Sequence, residues 1–486
     1  MQTKEPAMKT LPRLLPFFSL ILFLACTCLA EQSLTQNGIT WTFAADHKIG
    51  TYCNGEYWVI GPVKIVSITN SLNASGFEVP RGRNGSMINP DPSRPIGLKQ
   101  GFTSNLANYD ESLNAALPGG NPISAENPLL LSPNQTLISA VSWLYRSKDD
   151  LEPGSPPIQT FPTPRPAIRS AALLTCISEP PAPGSFRPPY CGSDKTAKFK
   201  KSDMNLSALK NLDPVGQLPS VEEMEKAMSH TWVDYVWGWE GGFTHPSEHM
   251  PNYGRDMAYI VGKIGLMLNL DLSKIAGAPS KENLAINMVQ FGIDLTGIAD
   301  ANGGWLADGG HGLCRKLPIL LAGVLLNNPH MKDVGQWKTR FQENEQTFYV
   351  TQETVDLSHS SQWAPDKRVP HLPYDAEHIG MPEWGIRHFE RPAADNREWT
   401  TVYRDINGSA FPMFALAAHI MGLKKEWNND AFFDYCDRYM SITEGGQKYS
   451  VNKMPSFGKA MWGHYRADYG KTKWMEPGQP YPHVEK

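Results

Sequence analysis

The stretch NLAINMVQFGIDLTGIA (residues 283–299), followed by GGWLADGGHGLCRK (303–316) and LPILLAGVLL (317–326), decides how the fold is read. In the first segment Leu284, Met288, Phe291, Leu295 and Ile298 recur at spacings of three and four, the period of a helix with a buried face. In the third, nearly every position is apolar and Pro318 stands near the first turn, where its missing N–H costs nothing. The spacing therefore predicts helices over Asn283–Ala299 and Leu317–Leu326. Between them, five glycines permit tight turns and close approach of the backbone to a ligand. Asp308, His311 and Arg315 in this loop would sit at the rim of a helical domain. A plain glycine-rich helix connection with a structural histidine is the competing reading.

Outward from this core, Ser220-Val221-Glu222-Glu223 has the pattern of a capping box and predicts another helix start. Met257–Leu270, Phe411–Met421 and Ala431–Tyr439 are further helical segments. Long loops at the ends of paired helices favour an α/α toroid over a simple bundle. Towards the N-terminus the period changes. Ile39–Phe43 alternates with period two, and Tyr57–Ile60, Val63–Ile68, Leu137–Trp143 and Ala167–Ser178 are β-branched, aromatic or apolar runs bounded by turn residues. The expected class is α+β: a β-rich, sandwich-like domain with proline-rich loops over residues 31–204, then a toroid-like α-helical domain over residues 205–486 that carries the site.

The chain has 486 residues, 41% of them hydrophobic and 10% aromatic, which is the composition of a folded protein with ample core. A net charge of -4 from 45 basic and 49 acidic residues gives no polyanion-binding signature, so a nucleic-acid partner is not expected. Lys4, Lys9 and Arg13 precede an apolar run, Leu14–Leu29, which ends at the small residue Ala30. Residues 1–30 therefore read as a secretory signal peptide, too short and too broken for a membrane span. Secreted or periplasmic location follows, with lipid anchoring at Cys26 the lesser alternative, and no integral membrane segment is expected after cleavage. The remaining cysteines are Cys53, Cys176, Cys191, Cys314 and Cys436. Cys176 and Cys191 flank a proline-rich loop and could bridge in an oxidising compartment; buried thiols are the other reading.

Polar and aromatic residues gather in three loops. The first holds His230, Trp232, Trp237, Trp239, His245, Glu248, His249, Tyr253, Arg255 and Asp256. Its tryptophans suit a sugar-stacking surface or, equally, a wedge between domains. Within it, His245-Pro246-Ser247-Glu248-His249 matches the H-x-x-E-H zinc-peptidase pattern, but Pro251 leaves barely one turn for the helix that such a site requires. No metal ligand set is assigned, and the sequence names no cofactor. The second loop holds Asp308, His311 and Arg315. The third holds Tyr374, Asp375, Glu377, His378, Glu383, Trp384, Arg387 and His388, followed by Tyr403, Arg404 and Asp405.

These residue types match β-elimination on a uronate sugar. An arginine, histidine or asparagine must neutralise the carboxylate so that the adjacent proton becomes acidic. A histidine or tyrosine then removes that proton, and a tyrosine can protonate the departing oxygen. On this reading Tyr253, His311, His378 and Tyr403 are catalytic, while Trp237, Trp239, His249, Arg255, Arg315, Trp384, Arg387 and Arg404 bind substrate. Hydrolysis would instead need two carboxylates, for which Glu248, Asp256, Asp308 and Glu383 are available.

Over roughly His230–Tyr439 the chain resembles the α/α-toroid polysaccharide lyases, such as the alginate and heparin lyase group. The resemblance lies in helix-and-loop layout and in the residue types at Tyr253, Arg255, His311, Arg315, His378 and Tyr403. It is also similar to secreted bacterial proteins of unassigned function with a G-G-H loop. The resemblance implies a secreted lyase acting on a polysaccharide or oligosaccharide. A glycoside hydrolase with paired carboxylates and a non-catalytic carbohydrate-binding or envelope protein stay open beside it. No G-x-S-x-G elbow or dinucleotide fingerprint is present.

Overall fold

Alternating apolar residues fold the N-terminal part into strands β1 (Ala30–Gln36), β2 (Ile39–Thr51), β3 (Tyr57–Ile60), β4 (Val63–Ile68), β5 (Gly85–Ile88), β6 (Leu129–Leu131), β7 (Gln135–Ser142) and β8 (Ile168–Ile177). The computed structural model describes residues 30–69, 85–93, 115, 118–142, 168–236, 238–239, 241–275, 280–361, 373–385, 407–441 and 454–475. The strand order is β5-β7-β8-β3-β2-β4-β6, with β1 also pairing β2. The β3–β8 pair is parallel and the other pairs in this sheet are antiparallel. Strand β2 pairs with β4 over Trp41–Phe43 and with β3 over Ile49–Thr51, so it bends from one half of the sheet into the other. The described strands thus form one curled mixed sheet. The sandwich-like arrangement expected here takes the form of two halves joined through β2, whose length lets a single strand serve both.

The period of two sorts the sheet's side chains between two cores. Leu137, Ala172, Leu174 and Cys176 turn into the curl with Trp41, Phe43, Val59 and Ile65. Ile138, Ala140, Ala171 and Leu173 turn the other way, into the core built by the helices. One of the two cores thus runs across the boundary expected near residue 204. Arg187, fully buried, crosses it: its guanidinium donates to Glu56 beside the sheet and to Asp294 in the helical part. The Gln290 side chain accepts from its backbone N–H at 2.9 Å.

The helices are α1 (Val221–Met228), α2 (Gly241–Thr244), α3 (Gly254–Met267), α4 (Glu282–Asp300), α5 (Lys316–Leu325), α6 (Pro329–Lys332), α7 (Gln342–Gln346), α8 (Gln352–Ser358), α9 (Phe411–Met421), α10 (Lys424–Trp427), α11 (Asp430–Ser441) and α12 (Ser456–Tyr465). A two-stranded ribbon joins β9 (Thr347–Tyr349) to β10 (Pro382–Trp384). The expected helices lie within a few residues of α3, α4, α5, α9 and α11. Ser220 caps α1 by accepting from the Glu223 amide at 3.2 Å, as its spacing predicts. Helix α3 lies against α9, where Gly262 meets Met413 and Phe414 with no room for a larger side chain. The five cysteines from Cys53 to Cys436 are free thiols. Cys176 is buried within β8 and Cys191 is buried in the helical core, so the two form no bridge.

One buried cation makes stability depend on pH. Lys316, at the start of α5, is fully buried, and its ammonium donates to the Trp427 carbonyl and to Asn344. Burial pulls its pKa down to about 7 from the ordinary 10.5. Between those values the unfolded chain holds the proton that the folded chain has released, so this group's contribution to stability rises with pH across that window. The penalty, about 1.4 kcal/mol per pKa unit, is greatest at and below neutrality. Lys316→Met is expected to be the more stable protein near pH 7, with the gap closing towards pH 10.5. Urea midpoints of both proteins across this range check it.

Candidate functional site

The loop between α4 and α5 is held from one side by α7. Gln342 accepts from the Gly312 amide at 2.6 Å and donates to the Gly309 carbonyl at 2.7 Å. Gln346 donates to the same carbonyl at 2.8 Å. Glu343 accepts from the Cys314 amide at 2.7 Å, and Glu345 from the Ala307 amide at 2.6 Å. Four side chains of one short helix thus bond loop backbone that would otherwise be buried without partners. Cys314 sits at φ 82, a costly conformation for a non-glycine residue, which this scaffold sustains.

From the other side, the loop is packed by the N-terminus of α3. A side chain at Gly254 would overlap the carbonyls of Gly310 and His311. That contact brings Tyr253, the residue before the helix, to His311: their rings meet edge to face with centroids 4.7 Å apart. A methyl group on Gly310 would overlap both the Tyr253 hydroxyl and the Asn407 side-chain oxygen. Tyr253, His311 and Asn407 therefore converge around one bare stretch of backbone. Asn407 is fully buried, yet neither its amide nitrogen nor its oxygen has a hydrogen-bond partner among the described residues. An orphaned amide in such a place costs about 1–3 kcal/mol, a cost that a bound polar group would relieve.

Arg255 flanks this cluster. Its guanidinium carbon lies 5.4 Å from the Tyr253 ring centre and 5.8 Å from that of Tyr259. The Arg255 guanidinium is held by Asp256 through bonds of 2.7 and 2.8 Å. Tyr259 in turn shares a hydrogen bond with Ser409, tying α3 to the turn that carries Asn407. Trp239 is 40% exposed, and its backbone amide donates to Asp308 at 2.7 Å.

Other expected residues have different surroundings. Arg315 is buried, its guanidinium donating to both oxygens of Asp234 at 2.7 and 2.8 Å and to the His311 carbonyl at 2.9 Å. Burial alone would push the Asp234 carboxyl up, but Arg315 and His245 together hold it below its ordinary value. Arg315 therefore fixes the His311 backbone and presents no surface to a substrate, contrary to the binding role expected of it. His249 is half-buried, and its two ring nitrogens meet His230 at 3.2 Å and the Thr231 carbonyl at 3.1 Å. Burial, then His230, lowers its pKa to about 4. His245 contacts Asp234 and the Pro251 carbonyl, and Glu248 pairs with Arg169, so the H-x-x-E-H residues face three different neighbourhoods.

His378 is buried in a short turn, where its Nδ1 accepts from the Asp375 amide at 2.8 Å. Trp384 is fully buried in β10. One ligand atom each from Asp375, Glu377 and His378 lie within 4.8 Å of one another, a set that could accept a metal ion. Trp237, Arg387, His388, Tyr403, Arg404 and Asp405 lie outside the described residues. Of the carboxylates available for hydrolysis, Glu383 is buried beside Arg438 and the Trp384 amide, and Asp308 is buried under the Trp239 amide.

The residue that sequence reasoning missed is Asn407. Its one local signal is Asn407-Gly408-Ser409 standing just before a largely apolar helix, a turn pattern that many loops share. No protein family, curated protein or solved structure matches this chain. Among the described residues no helix is long and apolar enough to cross a membrane.

Proposed function

We propose that this protein is an exported polysaccharide lyase that cleaves uronate-containing glycans by β-elimination, on a helical part arranged as an α/α toroid. The observation that carries the reading is the convergence of Tyr253, His311 and the unpartnered, buried Asn407 around Gly310. Asn407 would donate to the uronate carboxylate, spreading its charge and making the neighbouring C5 proton acidic. The His311 imidazole would take that proton. The electrons of the C5–H bond would form the C4=C5 double bond as the C4–O bond breaks, and the Tyr253 hydroxyl would give its proton to the departing oxygen. Imidazolium and phenolate are then side by side, and proton return from His311 to Tyr253 restores both. Arg255 beside the phenol favours the transient phenolate, and Trp239 offers an exposed ring face for a neighbouring sugar.

This chemistry needs no close pair of acids, which distinguishes it from hydrolysis. Mass spectrometry of the products from a panel of uronate polysaccharides tests it. Elimination yields one new end lighter by a water than the hydrolytic product, and products carrying only full-mass ends would reject the proposal. Gly310→Ala supplies a second test. Its methyl group must displace Asn407 or Tyr253, so turnover should fall by at least about 100-fold, the scale of losing one placed donor. Circular dichroism should show the fold retained.

A further inference from the structure

The first residues of the same glycine-rich loop line a separate cavity of about 510 Å³ that the elimination does not use. It is bounded by Asp300 at the end of α4, by Gly303, and by His330, Trp337, Lys338 and Arg340. The His330 and Trp337 rings stack with centroids 4.6 Å apart and planes 25° from parallel. Two hydrogen bonds fix this double-ring platform: the indole N–H donates to the His330 carbonyl at 3.2 Å, and His330 Nε2 lies 2.7 Å from an Asp300 carboxylate oxygen. Arg340 is paired with Glu345. Lys338 is exposed and has no ion-pair partner among the described residues, so its ammonium is available to a ligand on the rim, while the Asp300 carboxylate is taken up by His330.

The geometry points to a second binding groove, for an acidic oligosaccharide, in which a pyranose ring lies against the His330–Trp337 platform and a carboxylate meets Lys338. The volume is that of a small-molecule site, and a flat aromatic surface with one placed charge is the combination that orients a sugar. The platform favours a ring with an apolar face over a bare anion, and the unpaired Lys338 ammonium favours an acidic sugar over a neutral one. The Trp305 amide donates to the Arg340 carbonyl at 2.8 Å, which ties this rim to the loop that ends in His311. The identity of the sugar as a uronate rests on the elimination reading, whereas the groove itself does not.

Calorimetric titration of the full chain, carrying Tyr253→Phe to stop turnover, with short oligogalacturonate and oligoalginate tests the groove. A neutral oligosaccharide of equal length is the control. Trp337→Ala is expected to weaken acidic-sugar binding by about tenfold, a single contact's worth. Lys338→Glu, an exposed substitution that leaves the core untouched, should weaken binding of the acidic sugar and spare the neutral one. Unchanged affinity in both variants, equal affinity for acidic and neutral sugars, or no binding of either acidic probe overturns the groove. Weakened binding in the variants, in a protein that never yields an unsaturated product, would uphold the groove and reject the elimination. Eliminative cleavage with unaltered binding in the variants would do the reverse.

Discussion

Tyr253→Phe is expected to lower kcat on a uronate polysaccharide by about 10²–10⁴-fold, the usual worth of a positioned proton donor, with little change in KM. The phenyl ring would remain against His311, so packing survives and only the hydroxyl is lost. Asn407→Ala should lower kcat by about 10²–10³-fold, as removal of one oxyanion donor does elsewhere. It should not destabilise the protein, because the Asn407 amide has no internal partner among the described residues to lose. Loss of activity at constant or higher stability is the signature of a group kept for function. A large fall in melting temperature for Asn407→Ala, with turnover retained, would instead make it a structural residue. Steady-state kinetics and thermal denaturation on the same samples separate the two.

Arg187→Met is expected to destabilise the protein by about 3–5 kcal/mol, the cost of leaving buried charges without their counter-ion. Glu56 and Asp294 are both buried, and the guanidinium donates to both, so its removal strands two carboxylates between the sheet and α4. Neutralising them as well, in Glu56→Gln/Asp294→Asn/Arg187→Met, should recover much of the loss, because the three polar groups then vanish as charges together. Chemical denaturation of the single and triple variants gives the answer. A loss below about 1 kcal/mol for Arg187→Met, the range of an exposed ion pair, would show that this cluster does not hold the two parts together.

The elements were legible where one face or all faces of a segment are buried, because burial imposes a period that the sequence must carry. Helices α4 and α5 and strands β7 and β8 are of this kind. The curl of the sheet was not legible, since it depends on how far β2 runs before it changes partners, and no local pattern encodes that. Of the candidate site, the residue types were legible in the sequence and their surroundings only in part. Tyr253 and His311 stand together because α3 docks its first residue onto the glycine loop, a contact that chemistry-bearing residues in two loops suggested. Arg315 misled because a guanidinium in a loop with a histidine reads as a binding group until its partner is known. Asp234, eighty-one residues away in sequence, is that partner. Asn407 was missed because a single asparagine in a turn carries no signal of its burial.

On the proposed mechanism Tyr253, His311 and Asn407 eliminate rather than hydrolyse. Ultraviolet absorbance of the purified protein with polygalacturonate, alginate and glycosaminoglycan substrates tests it most directly, because the conjugated C4=C5 double bond absorbs and hydrolytic ends do not. Absorbance should rise with time on at least one substrate, and the rise should be lost in Tyr253→Phe and Asn407→Ala. New reducing ends at constant absorbance, or a rise that survives both substitutions, would contradict it.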